Sequence, residues 1–161
     1  MILLKRLEFE GVGPYRKKQE LKLGPGVTVI EGKNGHGKTR LFRALRLALY
    51  GDMGEGISFD EEINTYNRAH GNASLRTVLE FDFSDQGQTR EVRVTRHFET
   101  DGDLQTLVEV DGNALSPEDG LDLLARLFPP NLASFYFFEA ERLKEYEAAV
   151  EGGARADAVA R

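Results

Sequence analysis

Eight residues, Gly32-Lys33-Asn34-Gly35-His36-Gly37-Lys38-Thr39, constrain this chain more than any others. They match G-x-x-x-x-G-K-[ST] at every fixed position. Glycines at that spacing let the backbone curl so that successive N–H groups converge on one anion. A helix starting beneath them turns its positive end to the same charge. The pattern predicts a phosphate cradle running from Gly32 through Lys33, Asn34, Gly35, His36, Gly37, Lys38 and Thr39 to Arg40. Within it Lys38 sits at the β/γ-phosphates of a nucleotide and the Thr39 hydroxyl on Mg²⁺. The context is the required one. Residues 26–31 (Gly-Val-Thr-Val-Ile-Glu) read as a short buried strand, and residues 38–50 read as a helix without Gly or Pro, closed by Gly51 as C-cap.

The 161 residues suit one domain, and 30 % charged against 40 % hydrophobic residues describes a globular chain with a sizeable core. No apolar run approaches the roughly 20 residues of a membrane span, and no signal-peptide pattern opens the chain. Cysteine is absent, which excludes disulfides and thiolate metal sites and fits a cytoplasmic protein. The net charge of −6 is unevenly spread. Residues 1–50 carry eleven Lys/Arg against four Asp/Glu, a balance of +7, and the remainder carries ten against twenty-three, a balance of −13. A basic first third suits phosphates of nucleotide or nucleic acid, whereas the overall acidity confines any DNA contact to a local patch.

Along the chain, residues 2–10 alternate as a strand, Gly11-Val12-Gly13-Pro14-Tyr15 is turn chemistry, and residues 19–23 form a second strand ahead of the motif. Arg40, Arg43 and Arg46 on the motif helix form either a basic ridge for DNA or an ordinary solvated face. Residues 51–74 read as a long irregular connection with one turn of helix near residues 61–66, where Asn67-Arg68 and His70 fit either a ligand contact or a surface turn. Three strands follow, at residues 75–83, 91–98 and 104–110, joined by hairpin turns. In the middle one, Val92, Val94 and Phe98 are expected on the apolar face, with Arg90, Arg93 and Arg96 on the other. Ser116-Pro117-Glu118-Asp119 is a helix start, with Leu121, Leu124, Leu127 and Phe128 as its core face. Ser134-Phe135-Tyr136-Phe137-Phe138 reads as a covered strand running into Glu139, Glu141 and a helix to about Val150.

Taken in this order, Leu7-Glu8-Phe9, Gly13-Pro14-Tyr15, Leu21 through Ile30 and Gly32-Lys33-Asn34-Gly35-His36-Gly37-Lys38-Thr39 resemble the N-terminal lobe of the SMC-like, ABC-type ATPase heads of the double-strand-break repair, RecF and RecN group. Gly13-Pro14-Tyr15 and Leu47-Ala48-Leu49-Tyr50-Gly51 are in addition similar to the DndD-type DNA sulfur-modification ATPases. The resemblance covers residues 1–150 and leaves residues 151–161 as a frayed tail where a coiled coil begins. It implies an α/β P-loop NTPase fold in which an antiparallel subsheet flanks the strand, loop and helix of the motif. It also implies ATP and Mg²⁺ as cofactors, and a C-terminal lobe, a second head and DNA as partners, with a nuclease or modification subunit beside them. Arg16 or Lys17 would reach the nucleotide. Glu139 would stand where the family places the Gln that touches Mg²⁺ and the attacking water, as metal ligand and catalytic residue together with Lys38. The alternative for Glu139 is a surface acid favoured by a helix N-terminus.

No apolar run ending in Asp-Glu and no Ser-Gly-Gly signature is present, and neither Asp82 nor Asp111 stands in a Walker B setting. The resemblance places both motifs in a C-terminal lobe, so hydrolysis is expected only in a completed head. Two other readings remain open: a small self-sufficient NTPase or kinase using Asp82 or Glu139, and a module that holds ATP for assembly without hydrolysis.

Overall fold

The computed structural model describes residues 1–133 apart from 34, 55 and 86, together with residue 137. The chain divides into two units, Met1–Pro130 and Asn131–Arg161. In the second, the Phe137 N–H donates to the Ala133 carbonyl at 2.8 Å, a helical spacing. The rest of the aromatic run, Glu139, Glu141, the helix to Val150 and the tail lie outside the described residues, as does Asn34 of the motif.

The first unit is organised on one antiparallel sheet. Its strands are β1 (Ile2–Glu10), β2 (Gln19–Lys22), β3 (Ser74–Asp85), β4 (Gln88–Glu99), β5 (Gln105–Val110) and β6 (Asn113–Ala114), in the order β2-β1-β3-β4-β5-β6. The helices are α1 (Lys38–Tyr50), the short α2 (Phe59–Glu62) and α3 (Thr65–Ala69), and α4 (Pro117–Leu127). The connection at 51–74 therefore carries two short helices where one turn is expected. Side-chain oxygens of Ser58 and Asn64 accept backbone N–H groups at their starts, which is why such short elements hold.

One face of the sheet is apolar and packs on α1 and α4: Leu7, Leu75, Leu79, Phe81, Val92, Val94 and Val108 are all buried there. Phe81 is fully buried and meets the Phe128 ring edge-on at 5.3 Å. α1 contributes Leu41, Ala44, Leu47 and Ala48 to this core. α4 contributes Leu124, whereas Leu121 is 49 % exposed, so the expected core face of α4 is narrower by one residue. Its start is as the sequence implies, with the Ser116 hydroxyl accepting the Asp119 N–H at 3.2 Å.

β1 does not keep one alternation throughout. A register shift between Leu4 and Arg6 puts Leu4 opposite Phe81 and Leu7 opposite Leu79, so both face the core, and Lys5 is the extra residue. The outer face is held by ions. Arg6 grips Glu80 with two bonds, Nη2 to Oε1 at 2.5 Å and Nε to Oε2 at 2.9 Å, and Arg93 reaches the same carboxylate at 3.1 Å. The Arg6 contact holds the Glu80 carboxyl below the ordinary carboxylate range against the opposing effect of burial.

The strand expected at 26–31 does not form. Its residues belong to no strand of the sheet, and Val27, Val29 and Ile30 are 92, 73 and 45 % exposed. Among the described residues the segment has no pairing neighbour. An apolar β-branched run becomes a strand only where another backbone takes its N–H and C=O groups, and the six-stranded sheet closes its order without this segment. Among the described residues no helix is long and apolar enough to cross a membrane.

Candidate functional site

The motif loop folds as its glycines require. Gly35 and Gly37 adopt φ of +80° and +91°, and Gly37 serves as N-cap of α1 without any side-chain hydrogen bond to the helix start. The first turn of α1 holds no acidic residue, so its positive end is left for an external anion. Lys38 turns its Nζ back onto the Gly32 carbonyl at 2.5 Å and the Lys33 carbonyl at 3.1 Å. Thr39 is exposed beside it. These groups suit a polyphosphate: the Lys38 ammonium, which has no carboxylate partner among the described residues, an exposed Thr39 hydroxyl, and the acid-free start of α1. Gly37 also has no room for a side chain, since a Cβ would stand 2.7 Å from Pro14 Cγ and 3.0 Å from Tyr15 Oη.

That contact brings the turn after β1 to the phosphate loop. Tyr15 packs edge-on against Phe9 at 4.8 Å and directs its hydroxyl to the His36 carbonyl at 3.4 Å. The turn is clamped from behind by residues of 59–70. The Gly13 N–H donates to the Glu62 carbonyl at 2.7 Å, Asn64 Nδ2 to the Gly13 carbonyl at 2.6 Å, and Asn67 Nδ2 to the Arg16 carbonyl at 2.9 Å. Arg16 lays its guanidinium 3.9 Å over the Tyr66 ring, which stacks in turn on His70 at 4.0 Å. Lys17 is exposed on the same turn. Of the expected site residues, the structure thus gathers Gly32, Lys33, Gly35, His36, Gly37, Lys38, Thr39 and Arg40 in one loop and helix start, with the Arg16 turn against them.

The arginines of α1 differ from both expectations. Arg40 pairs with Glu62 Oε1, Arg43 reaches the same oxygen at 2.6 Å, and Arg46 reaches Asp52 Oδ1 at 2.5 Å. The Glu62 side chain is only 3 % exposed. These three are neither a basic ridge nor a solvated face. They fasten the 51–74 connection to α1. Burial first, and the charge of Arg43 second, pull the Arg40 pKa below its ordinary value.

A second arginine role went unread in the sequence. Arg96 lies 4 % exposed on the apolar face of β4, not on the opposite one. Its Nε and Nη2 donate to the Ala48 and Leu49 carbonyls at 3.3 and 3.4 Å, and Nη1 to Thr106 Oγ1 at 2.8 Å. Desolvation lowers its pKa to about 10. It therefore closes the C-terminus of α1, where a cation opposes the negative helix end. Strict alternation from Val92 and Val94 was the available signal, since Arg96 shares their parity.

No general acid or metal carboxylate joins the loop among the described residues. Asp82 is tied to Lys5 at 3.1 Å and lies opposite Leu3 near the start of β1, whereas the phosphate loop meets the turn beyond its end. Asp111 occupies a turn at φ +50°. Among the described residues no group of three or more His, Asp or Glu gathers as a metal site.

A glycine loop and the start of α1 at one end of an antiparallel sheet make an α/β lobe of the P-loop type. The AAA domain family (AAA_23) matches residues 6–148, and the chain belongs to that family. A probable DNA double-strand break repair Rad50 ATPase of Aquifex aeolicus (strain VF5) is 35 % identical over 114 residues, 69 % of this chain and 11 % of the relative's length. Of solved structures, the recombination mediator protein RecF-ATP of the RecFOR pathway superposes with a TM-score of 0.54 at 23 % identity, covering 71 % of this chain and 28 % of that one. An SMC ATPase structure, from work on ATP-driven dimerisation and DNA-stimulated activation, superposes with a TM-score of 0.58 at 19 % identity, covering 88 % and 95 %. Those two likenesses concern the fold. The chain spans about a tenth of the Rad50 relative's length.

Proposed function

We propose that this chain is the ATP-binding, N-terminal half of a DNA-acting head ATPase, and that Mg²⁺-dependent hydrolysis requires a C-terminal lobe and a second head. The observation that carries the reading is the loop itself, a helix start with no side-chain cap and no acid in its first turn, and with Lys38 folded over it. Backbone amides of residues 34–39 and the start of α1 receive the phosphates, Lys38 binds the β/γ-phosphates, and Thr39 holds Mg²⁺. Arg16 and Lys17 stand on the turn that touches the loop and reach the rest of the nucleotide. Arg40 serves through its backbone, because Glu62 holds its guanidinium. Glu139 is carried by resemblance alone as a second Mg²⁺ ligand and water-positioning group.

The exposed Val27-Thr28-Val29-Ile30 run supports the incomplete-head part of the reading. Among the described residues it is strand sequence without a strand partner, an edge that a C-terminal lobe would cover. Nucleotide-dependent pairing of two such heads would clamp DNA in repair, modification or restriction, in a cytoplasmic setting, and the likeness to a DNA double-strand break repair ATPase favours repair among these. ATP binding and turnover by this chain, with Lys38→Ala beside it, test the proposal. Binding that Lys38→Ala abolishes, without turnover, is expected. Lys38-dependent turnover by the chain alone would mean that the catalytic acids are already present, and the half-site reading would fall.

A further inference from the structure

Both nucleotide-facing segments are tied to one buried residue that neither of them contains. Glu62 takes Arg40 and Arg43 of α1 on Oε1, one and four residues beyond Thr39, and its backbone carbonyl takes the Gly13 N–H at 2.7 Å. Asn64, two residues on, closes the other side of Gly13 through its carbonyl at 2.6 Å and donates its own N–H to the Gly11 carbonyl at 2.7 Å. Val12 and Ile63 form a β-bridge between these bonds. Gly13 meanwhile packs so closely on the Arg40 stem that a Cβ would stand 2.7 Å from Arg40 Cγ, at φ +51°. Phosphate loop, helix start and the Arg16 turn thus share one fixed reference.

Stability alone is a poor reason for such an arrangement. A buried ion pair returns little net free energy once the desolvation of its charges is counted. This one is also incompletely bonded: both arginines use a single carboxylate oxygen, while Glu62 Oε2 and Arg43 Nε are buried without a hydrogen-bond partner. Its value lies in geometry, since ion pairs of fixed direction locate the segments they join.

We infer that Glu62, with Asn64, is a positioning residue of the nucleotide site, setting the distance between the phosphate loop and the Gly13–Arg16 turn without touching nucleotide. The inference rests on the nucleotide-binding reading above and adds to it a residue outside every motif. It makes the 51–74 connection a working part of the site.

The test uses the whole chain and two readouts. ATP affinity is measured by calorimetry for the native chain, Glu62→Gln, Glu62→Asp, the Arg40→Met/Glu62→Gln pair and Asp52→Asn, each first shown to be folded by circular dichroism. Hydrogen exchange of the Gly13, Asn64 and residue 36–41 amides is followed without nucleotide. Glu62→Gln is expected to weaken binding about ten-fold, as loss of an outer supporting contact does, and to speed exchange at Gly13 and at the helix start. Glu62→Asp keeps the charge and recovers most of the affinity. The double variant leaves Arg40 no charge to strand, and it still binds weakly because the link is gone. Asp52→Asn breaks the Arg46 pair on the same helix, away from the turn, and leaves affinity and those amides unchanged. Native affinity and native exchange in the folded Glu62 variants overturn the inference. A native chain that binds no ATP overturns the nucleotide reading instead, and the exchange data then decide whether Glu62 positions the two segments at all.

Discussion

The β3–β4 hairpin and the segment at 26–31 look alike in sequence and end in opposite states. Both carry Val at strand spacing, with Phe added in the hairpin and Ile in the short segment, and turn residues at their borders. In β3 and β4, Leu79, Phe81, Val92 and Val94 are at or near zero exposure, whereas Val29 is 73 % exposed. The difference is the neighbour, not the residues. β3 has β1 on one side and β4 on the other, paired along its length, and α1 lies over the apolar face. Among the described residues, 26–31 have no such neighbour, and Val27, Val29 and Ile30 are exposed. Period and propensity tell what a segment is suited to be. Only a partner decides what it becomes.

Substitutions sharpen this contrast, and chemical denaturation reads each of them. Phe81→Ala empties a fully buried ring site and is expected to cost about 3–5 kcal/mol. Glu80→Gln removes the charge and one of the two oxygens that accept from Arg6, and should cost about 1.5–3 kcal/mol at neutral pH. Because folding lowers the Glu80 pKa, its contribution is present above the unfolded value of 4.5 and is lost as pH falls through the folded one. The native chain and Glu80→Gln should therefore converge in stability below that pH, and a gap that persists in acid would mean the pair is not what Glu80 contributes. Ser116→Ala takes the cap from α4 for about 1 kcal/mol, read as a shift of midpoint without a change of slope. Val29→Ser should stay within about 0.5 kcal/mol of native, since Val29 is 73 % exposed. A large loss there would erase the contrast between the two regions.

Much of the molecule was legible where the signal was local. The bounds of β1 follow from an apolar run ended by the Gly11 turn, and those of α1 from a helix-forming run and from Gly51, whose N–H closes on the Leu47 carbonyl at 2.8 Å. Ser116-Pro117 marks α4 because capping is a matter of three or four residues. The phosphate loop is legible for the same reason, as its chemistry lies within eight positions. What escaped depends on distant partners. Nothing periodic in 51–74 announces that Glu62 will sit under Arg40 and Arg43, so exposed helix charge was the natural expectation. Arg96 was misplaced by grouping it with Arg93, although its parity with Val94 put it under α1. The strand at 26–31 reads correctly as strand chemistry, and its partner is not in the described sheet.

Amide hydrogen exchange of this chain, without and with Mg²⁺ and ATP, separates the packed sheet from the nucleotide site that we propose. Amides of 75–83 should exchange slowly in both conditions, and those of 27–31 quickly in both. Those of 35–41 should slow when ATP is added, and should fail to do so in Lys38→Ala. Residues 27–31 as protected as 75–83 in the chain alone, or a loop indifferent to ATP, would contradict this reading.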